Sequence, residues 1–82
     1  MHTYYFHLRD GTNVLLDPDG RLLPSLNAVE GAALYEARAI ISADAKAGRI
    51  SLRQWIDVED EAGAVVHTIA FEDAVKVERE AE

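Results

Sequence analysis

The sequence predicts an α+β domain with the element order ββαββα. Two antiparallel hairpins form one sheet, a long helix packs on one face, and a short helix follows at the C-terminus. Three observations predict this fold: two pairs of segments with alternating apolar residues, a helical period between the pairs, and acidic turn signals that divide the segments. The turn signals are Asp10-Gly11, Asp17-Pro18-Asp19-Gly20 and Asp60-Glu61-Ala62-Gly63.

The first hairpin begins with a segment of period two, which is typical of a half-buried strand. Its residues fall into two sets, Tyr4, Phe6 and Leu8 on one side and Thr3, Tyr5 and His7 on the other. Asp10-Gly11 then reverses the chain, because glycine accepts the positive φ of a tight turn. The run Val14-Leu15-Leu16 within residues 13–17 predicts the returning strand, which ends at the second turn signal.

The segment between Pro24 and Gly48 has the 3.6-residue period of an amphipathic helix. Its predicted core face contains Leu26, Val29, Ala33, Leu34, Ala37, Ile40 and Ile41. Two N-terminal caps compete, Ser25 alone or a capping box of Asn27 with Glu30, while Gly48 is the predicted C-terminal stop. We interpret Gly31 as a position where the missing side chain lets the helix approach the sheet.

The second hairpin is predicted from alternating segments at residues 54–59 and 64–70, joined by the turn that contains Gly63. In the first segment, Ile56 and Val58 face one way. Trp55, Asp57 and Glu59 face the other way.

The C-terminal segment from Phe71 to Glu82 predicts a short helix that frays at its end. Its only apolar contacts are expected from Ala74, Val75 and Val77. Because 82 residues are within the size of one small domain, we expect residues 1–82 to form a single α+β domain.

The charge balance argues against several classes of partner. With 15 acidic and 8 basic residues, the formal net charge is −7, which disfavours direct binding of nucleic acid or of an anionic membrane. The start of the chain lacks the basic residues and apolar run of a signal peptide, and no apolar stretch reaches the ~18 residues of a membrane span. The sequence therefore predicts a cytoplasmic protein.

No group of residues predicts a catalytic centre, a cofactor site or a metal site. The chain has no cysteine, and His2, His7 and His67 lack the spacing of zinc ligands. Asp17-Pro18-Asp19-Gly20 is similar to the start of a calcium loop, but leucines occupy the later ligand positions, so a turn is predicted. The glycine motifs that bind nucleotide phosphates are also absent.

One sheet face is predicted to be an interaction surface. If Phe6 and Ile56 face the helix, the strand parity displays Tyr5, His7, Trp55 and Asp57 on the opposite face. An amphipathic aromatic surface of this kind suits another protein or a second copy of the chain, which makes a homo-oligomer the expected state. The competing interpretation is a solvated sheet with scattered aromatic residues.

The chain resembles a short family of alphaproteobacterial proteins of unknown function. The resemblance rests on the opening Tyr4-Tyr5-Phe6-His7-Leu8-Arg9-Asp10-Gly11, on Asp17-Pro18-Asp19-Gly20 followed by Leu23-Pro24-Ser25-Leu26, and on the alanine-rich helix. It implies a small bacterial cytoplasmic protein. Because the family has no established activity, the resemblance assigns no catalytic or cofactor-binding residue here.

The sequence leads to one principal functional hypothesis and two alternatives. The principal hypothesis is a non-enzymatic interaction or regulatory module. The first alternative is a small enzyme or ligand-binding protein whose site forms at a subunit interface, with His7 or His67 as the base. The second is an acidic toxin-neutralising protein, since the hairpin, Asp-Gly turn and capped helix also resemble bacterial antitoxins. Those antitoxins usually carry a separate DNA-binding segment, which this sequence lacks.

Overall fold

The computed structural model describes residues 1–79 and confirms the predicted α+β class, with an antiparallel sheet, one long helix and a short C-terminal helix. In chain order the elements are β1 (His2–Asp10), β2 (Asn13–Leu15), β3 (Arg21–Leu23), α1 (Leu26–Lys46), β4 (Trp55–Glu59), β5 (Val65–Ala70) and α2 (Phe71–Ala74).

The sheet has the order β2-β1-β4-β5, so the two predicted hairpins lie side by side through β1 and β4. Strand β3 was not predicted. It pairs with the first half of β1, while β2 pairs with the second half, so both lie along the same edge. Residues 16–20 leave the ladder between these two short strands. A three-residue strand is too short to show an alternating pattern, so β3 could not be predicted from its period.

The core lies between the sheet and α1, with the predicted faces turned toward each other. Its buried apolar residues are Tyr4, Phe6, Val29, Ala33, Ala37, Ile56, Val58, Phe71 and Ala74. From the predicted helix face, Ile40 and Ile41 are only half-buried, and Leu26 is exposed. The alanines at the centre of the contact let the helix backbone lie close to the sheet, since they add little side-chain bulk.

The ends of α1 are set by an N-terminal capping hydrogen bond and by a glycine after the C-terminal end. Ser25 is the N-cap, and its hydroxyl accepts a hydrogen bond from the N–H of Ala28 at 3.2 Å. The competing cap at Asn27 is not used, because the helix already begins at Leu26. Beyond the C-terminal end, Gly48 adopts a φ of 89° and the N–H of Arg49 bonds back to the Asp44 carbonyl at 2.9 Å. Gly48 therefore stops the helix, as predicted.

The C-terminal helix is shorter than predicted. It ends at Ala74, and Val75 is already extended, with φ −137° and ψ 154°. The Nε of Arg38 donates to the Ala74 carbonyl at 2.8 Å, which satisfies one main-chain acceptor at that end. The predicted helix is thus wrong over residues 75–79, and its last three residues, 80–82, lie outside the described part of the chain.

Gly31 does not have the predicted role. A Cβ built at this position would have no heavy atom within 4 Å outside the local helix backbone, and Gly31 is exposed. The interpretation of Gly31 as a point of close helix-to-sheet contact is therefore wrong. The close approach is made instead by Ala33 and Ala37, which are fully buried.

We expect Gly31→Ala to stabilise the protein by about 0.5–1 kcal/mol, because alanine loses less backbone entropy in a helix and meets no obstacle here. Urea denaturation followed by circular dichroism measures the change. Gly48→Ala is a matched control, since a Cβ there also meets nothing within 4 Å but the φ is 89°. That control is expected to be destabilised. An unchanged or lower midpoint for Gly31→Ala would contradict the helical, open environment of Gly31.

Candidate functional site

The sheet face opposite α1 is the candidate site, and we call it the outer face. Cross-strand register places its residues: Tyr5 lies opposite Glu59, His7 opposite Asp57, Arg9 opposite Trp55, Thr68 opposite Asp57, and Ala70 opposite Trp55. These residues have the opposite parity to Ile56 and Val58, which face the helix. Both helices lie together on the other side of the sheet, so no helix of residues 1–79 covers the outer face.

Two large aromatic side chains mark the ends of the outer face. Tyr5 and Trp55 are both half-buried, and Trp55 lies away from the helix, as its parity predicted. Because Trp55 is opposite Arg9, four residues along β1 from Tyr5, the strand rise separates the two aromatics by roughly 13 Å. The Tyr5 ring also stacks on His7, with ring centres 6.4 Å apart and planes inclined by 9°.

Asp57, a predicted surface residue, lies at the centre of the outer face with its charge already compensated. Its carboxylate forms an ion pair with Nε of Arg9. The same carboxylate accepts a hydrogen bond from the Thr68 hydroxyl at 2.8 Å. Only 15% of the Asp57 side chain is exposed, so the middle of the face is polar but carries no isolated negative charge.

His7 lies on the outer face by its parity, but the prediction that it is exposed there is wrong. His7 is 7% exposed, because the segment after β2 folds over the sheet edge beside it. Its Nδ1 accepts a hydrogen bond from the N–H of Asp17 at 3.1 Å, and its Nε2 lies 3.6 Å from Oε2 of Glu59. This arrangement requires the neutral ring with its proton on Nε2.

The segment that covers His7 is the Asp17 turn, residues 16–20. Both carboxylate oxygens of Asp17 accept main-chain hydrogen bonds. One receives the N–H of Phe6 in β1 at 3.2 Å, and the other receives the N–H groups of Asp19 and Gly20, each at 3.1 Å. Asp17 therefore satisfies one main-chain donor of β1, the N–H of Phe6, in the gap between β2 and β3.

The electrostatics of Asp17 follow from these contacts. Partial burial acts to raise the pKa of the Asp17 carboxyl, but the N–H groups of Gly20, Phe6 and Asp19, with the charge of Arg21, outweigh it. The pKa therefore lies below the ordinary aspartate value, and the carboxylate form is favoured.

Gly20 lets the Asp17 turn lie flat against β1. Its φ is 68°, and a Cβ there would stand 2.8 Å from Cγ2 of Thr3 and 2.9 Å from Cε2 of Tyr5. A side chain at this position would push the turn away from Tyr5. The sequence predicted the turn but not its docking, since the contact with β1 joins residues more than ten positions apart.

A groove of about 480 Å³ lies on the inner side of the Asp17 turn, between the sheet edge and α1. Its lining is mostly apolar: Phe6, Leu8, Leu15, Leu16, Asp17, Pro18, Arg21, Glu36, Ile40 and Ile56. Arg21 stacks 4.4 Å from the centre of the Phe6 ring, and it bonds Glu36 at 3.0 Å. Arg21 and Glu36 are thus paired with one another, while Asp17 is held by main-chain N–H groups.

His67, the other histidine that the sequence offers as a base, does not join these groups. It lies opposite Val58 on the helix side of the sheet, in the outermost strand β5, and is half-buried. Within residues 1–79, no three His, Asp or Glu side chains converge on a point that would hold a metal ion. Neither helix in that range is both long and apolar enough to cross a membrane.

Comparisons with known proteins give one match. Neither the curated proteins nor the solved structures yielded a relative of this chain. Residues 3–72 match the family described as Domain of unknown function (DUF6894). The matched range begins in β1 and ends in α2, so it includes both hairpins, the Asp17 turn, α1 and every residue of the outer face. The chain belongs to this DUF6894 family.

Proposed function

We propose that this protein is a non-enzymatic interaction or regulatory module whose outer face binds another protein or a second copy of the chain. The observation that carries the proposal is the combination of an outer face without a helix, among residues 1–79, and two half-buried aromatic side chains on it, Tyr5 and Trp55. Tyrosine and tryptophan are the residues most often found as anchors of protein interfaces.

The polar centre of the outer face also suits a protein partner. Covering an isolated carboxylate is costly, because the charge loses its water. Asp57 avoids most of that cost, since it forms an ion pair with Arg9 and accepts a hydrogen bond from Thr68. A partner that covers the face meets an internally paired polar patch between the two aromatics.

The contacts of His7 favour this proposal over an enzyme. A general base needs an unshared electron pair within reach of the substrate proton. The Nδ1 pair of His7 already accepts the N–H of Asp17, and Nε2 carries the proton and faces Glu59. The base that the enzyme alternative requires is therefore occupied at this histidine.

Charge supports a protein over a nucleic acid as the partner, since the net charge is −7. A cytoplasmic setting in an alphaproteobacterium, which the resemblance implies, belongs to the same proposal.

Substitution on the outer face tests the proposal. Trp55→Ala is expected to abolish binding through the outer face, because it removes the larger anchor without touching the buried core. Association is measured by sedimentation velocity over a range of protein concentrations and by capture from a bacterial lysate. Tyr35→Ala is the matched control, because Tyr35 is a 73% exposed aromatic on α1.

The proposal requires Trp55→Ala to bind more weakly than Tyr35→Ala. A protein that remains monomeric at millimolar concentration and captures nothing from lysate would refute it. Equal binding by the parent, Trp55→Ala and Tyr35→Ala would refute the assignment of binding to the outer face. Circular dichroism of each variant shows whether a loss of binding comes from unfolding.

A further inference from the structure

The two edges of the sheet differ in their access to another strand. The edge formed by β2 and β3 is interrupted by the Asp17 turn, whose carboxylate occupies main-chain donors. At the opposite edge, β5 pairs with β4 on one side and with no strand of residues 1–79 on the other. A strand edge without a partner presents a row of main-chain donors and acceptors.

The direction of these groups follows from one hydrogen bond. The N–H of Phe71 donates to the Gln54 carbonyl at 2.9 Å, so this main-chain N–H points toward β4. Because hydrogen-bonded pairs alternate along an antiparallel ladder, the main-chain N–H and C=O groups of Ile69 and His67 also point toward β4. In a trans peptide the C=O and the next N–H point in opposite directions. The outer edge therefore presents the N–H groups of Thr68 and Ala70 and the C=O groups of Val66 and Thr68.

This set of groups is self-complementary. When a second β5 lies antiparallel with Thr68 opposite Thr68, the two threonines exchange two hydrogen bonds. Each Ala70 N–H then meets the Val66 carbonyl of the other copy. A two-fold axis through Thr68 thus pairs all eight groups in four bonds, which is the geometry of an isologous dimer.

The composition of β5 permits a second copy at this edge in spite of the net charge. Two chains with a net charge of −7 each repel one another. The strand Val65–Ala70 contains no Asp, Glu, Lys or Arg, so no such charge within the strand opposes its pairing with a second copy. Proline and lysine, which usually protect an exposed edge, are absent from the strand.

We propose that two copies of this chain pair β5 with β5 around a two-fold axis at Thr68, forming one sheet that continues through both chains. The inference goes beyond the proposed function and does not depend on it. The pairing also joins the two outer faces, since Thr68 and Ala70 of each copy lie on that side.

Cross-linking tests the register directly. The chain has no cysteine, so Thr68→Cys introduces a single thiol. Hydrogen-bonded partners in an antiparallel pair have Cα atoms about 5.5 Å apart, within the range that a disulfide spans. Mild oxidation is expected to convert most of Thr68→Cys to a covalent dimer. The control Thr12→Cys, in the exposed β1–β2 turn, is expected to remain largely monomeric.

A second pair of variants tests the hydrogen bonds. Thr68→Pro removes an outward N–H but no donor to β4, and we expect it to weaken dimerisation at least tenfold in sedimentation equilibrium. Thr68→Val keeps the N–H while losing the hydroxyl contact with Asp57, and is expected to dimerise like the parent. If Thr68→Pro does not fold, cross-linking decides alone.

The outcomes separate this dimer from outer-face binding. Efficient Thr68→Cys cross-linking that survives Trp55→Ala supports the β5 pair, whatever happens to partner binding. Equal cross-linking of Thr68→Cys and Thr12→Cys would overturn it. A parent dimer that a folded Thr68→Pro variant leaves intact would overturn it as well.

Discussion

Phe71→Ala is expected to lower the free energy of unfolding by about 3–5 kcal/mol, the usual cost of removing a buried aromatic ring. Phe71 is 0% exposed and belongs to the core cluster with residues of the sheet and α1. Domains of this kind have total stabilities of about 5–15 kcal/mol, and small ones lie near the lower limit. The variant should therefore be partly unfolded at 25 °C. Urea denaturation, followed by Trp55 fluorescence, measures the loss.

Val77→Ala is the control for this substitution. Val77 lies six residues further along and is 63% exposed, so the expected cost is below about 0.5 kcal/mol. Similar midpoints for the two variants would contradict the placement of Phe71 in the core. A C-terminal truncation that keeps Ala74 should resemble Val77→Ala, because it retains the last buried core residue of the range 1–79.

The sequence predicted the long elements better than the junction between β5 and α2. In β1 and α1 several apolar residues repeat with the same period, so one misjudged residue does not change the predicted face. Phe71 follows directly after β5 and begins a four-residue helix, which is too short for either period to show. The sequence therefore placed Phe71 at the start of a short helix without counting it among the apolar contacts, whereas tertiary packing places it in the core.

The distinction between local pattern and tertiary packing also explains which features of the outer face could be predicted. The positions of Tyr5 and Trp55 follow from strand parity, which is a local property of the sequence. The burial of His7 does not, because it depends on Asp17, ten residues away along the chain. The Asp-Pro-Asp-Gly sequence identifies a turn. It does not specify that the first carboxylate accepts a hydrogen bond from a neighbouring strand.

Asp17→Asn is expected to destabilise the protein by about 2 kcal/mol at pH 7. Hydrogen bonds to charged groups contribute about 1.5–3 kcal/mol each, and the partial exposure of Asp17 reduces that figure. The carboxylate accepts from Phe6 through one oxygen and from Asp19 and Gly20 through the other. An asparagine has a single acceptor oxygen, so its amide would face at least one of these donors with another donor. Urea denaturation at pH 7 measures the difference.

The pH dependence identifies the charge as the cause. Because the pKa of Asp17 is lower in the folded protein than in the unfolded chain, its contribution is fully present above the ordinary aspartate pKa of about 3.9. It is lost as the pH falls from there through the lower, folded-state pKa. The stability difference between the parent and Asp17→Asn should therefore be greatest near neutral pH and shrink on acidification.

Asp19→Asn separates this effect from a general loss of negative charge. Asp19 is exposed in the same turn and contributes its main-chain N–H to the Asp17 carboxylate. Its substitution changes the net charge by the same amount but keeps all three hydrogen bonds to Asp17. We expect little change in stability and the pH profile of the parent. If both variants lose the same stability, the acidity of the turn matters and the Asp17 hydrogen bonds do not. A constant difference between the parent and Asp17→Asn from neutral pH into the acid range would contradict the lowered pKa.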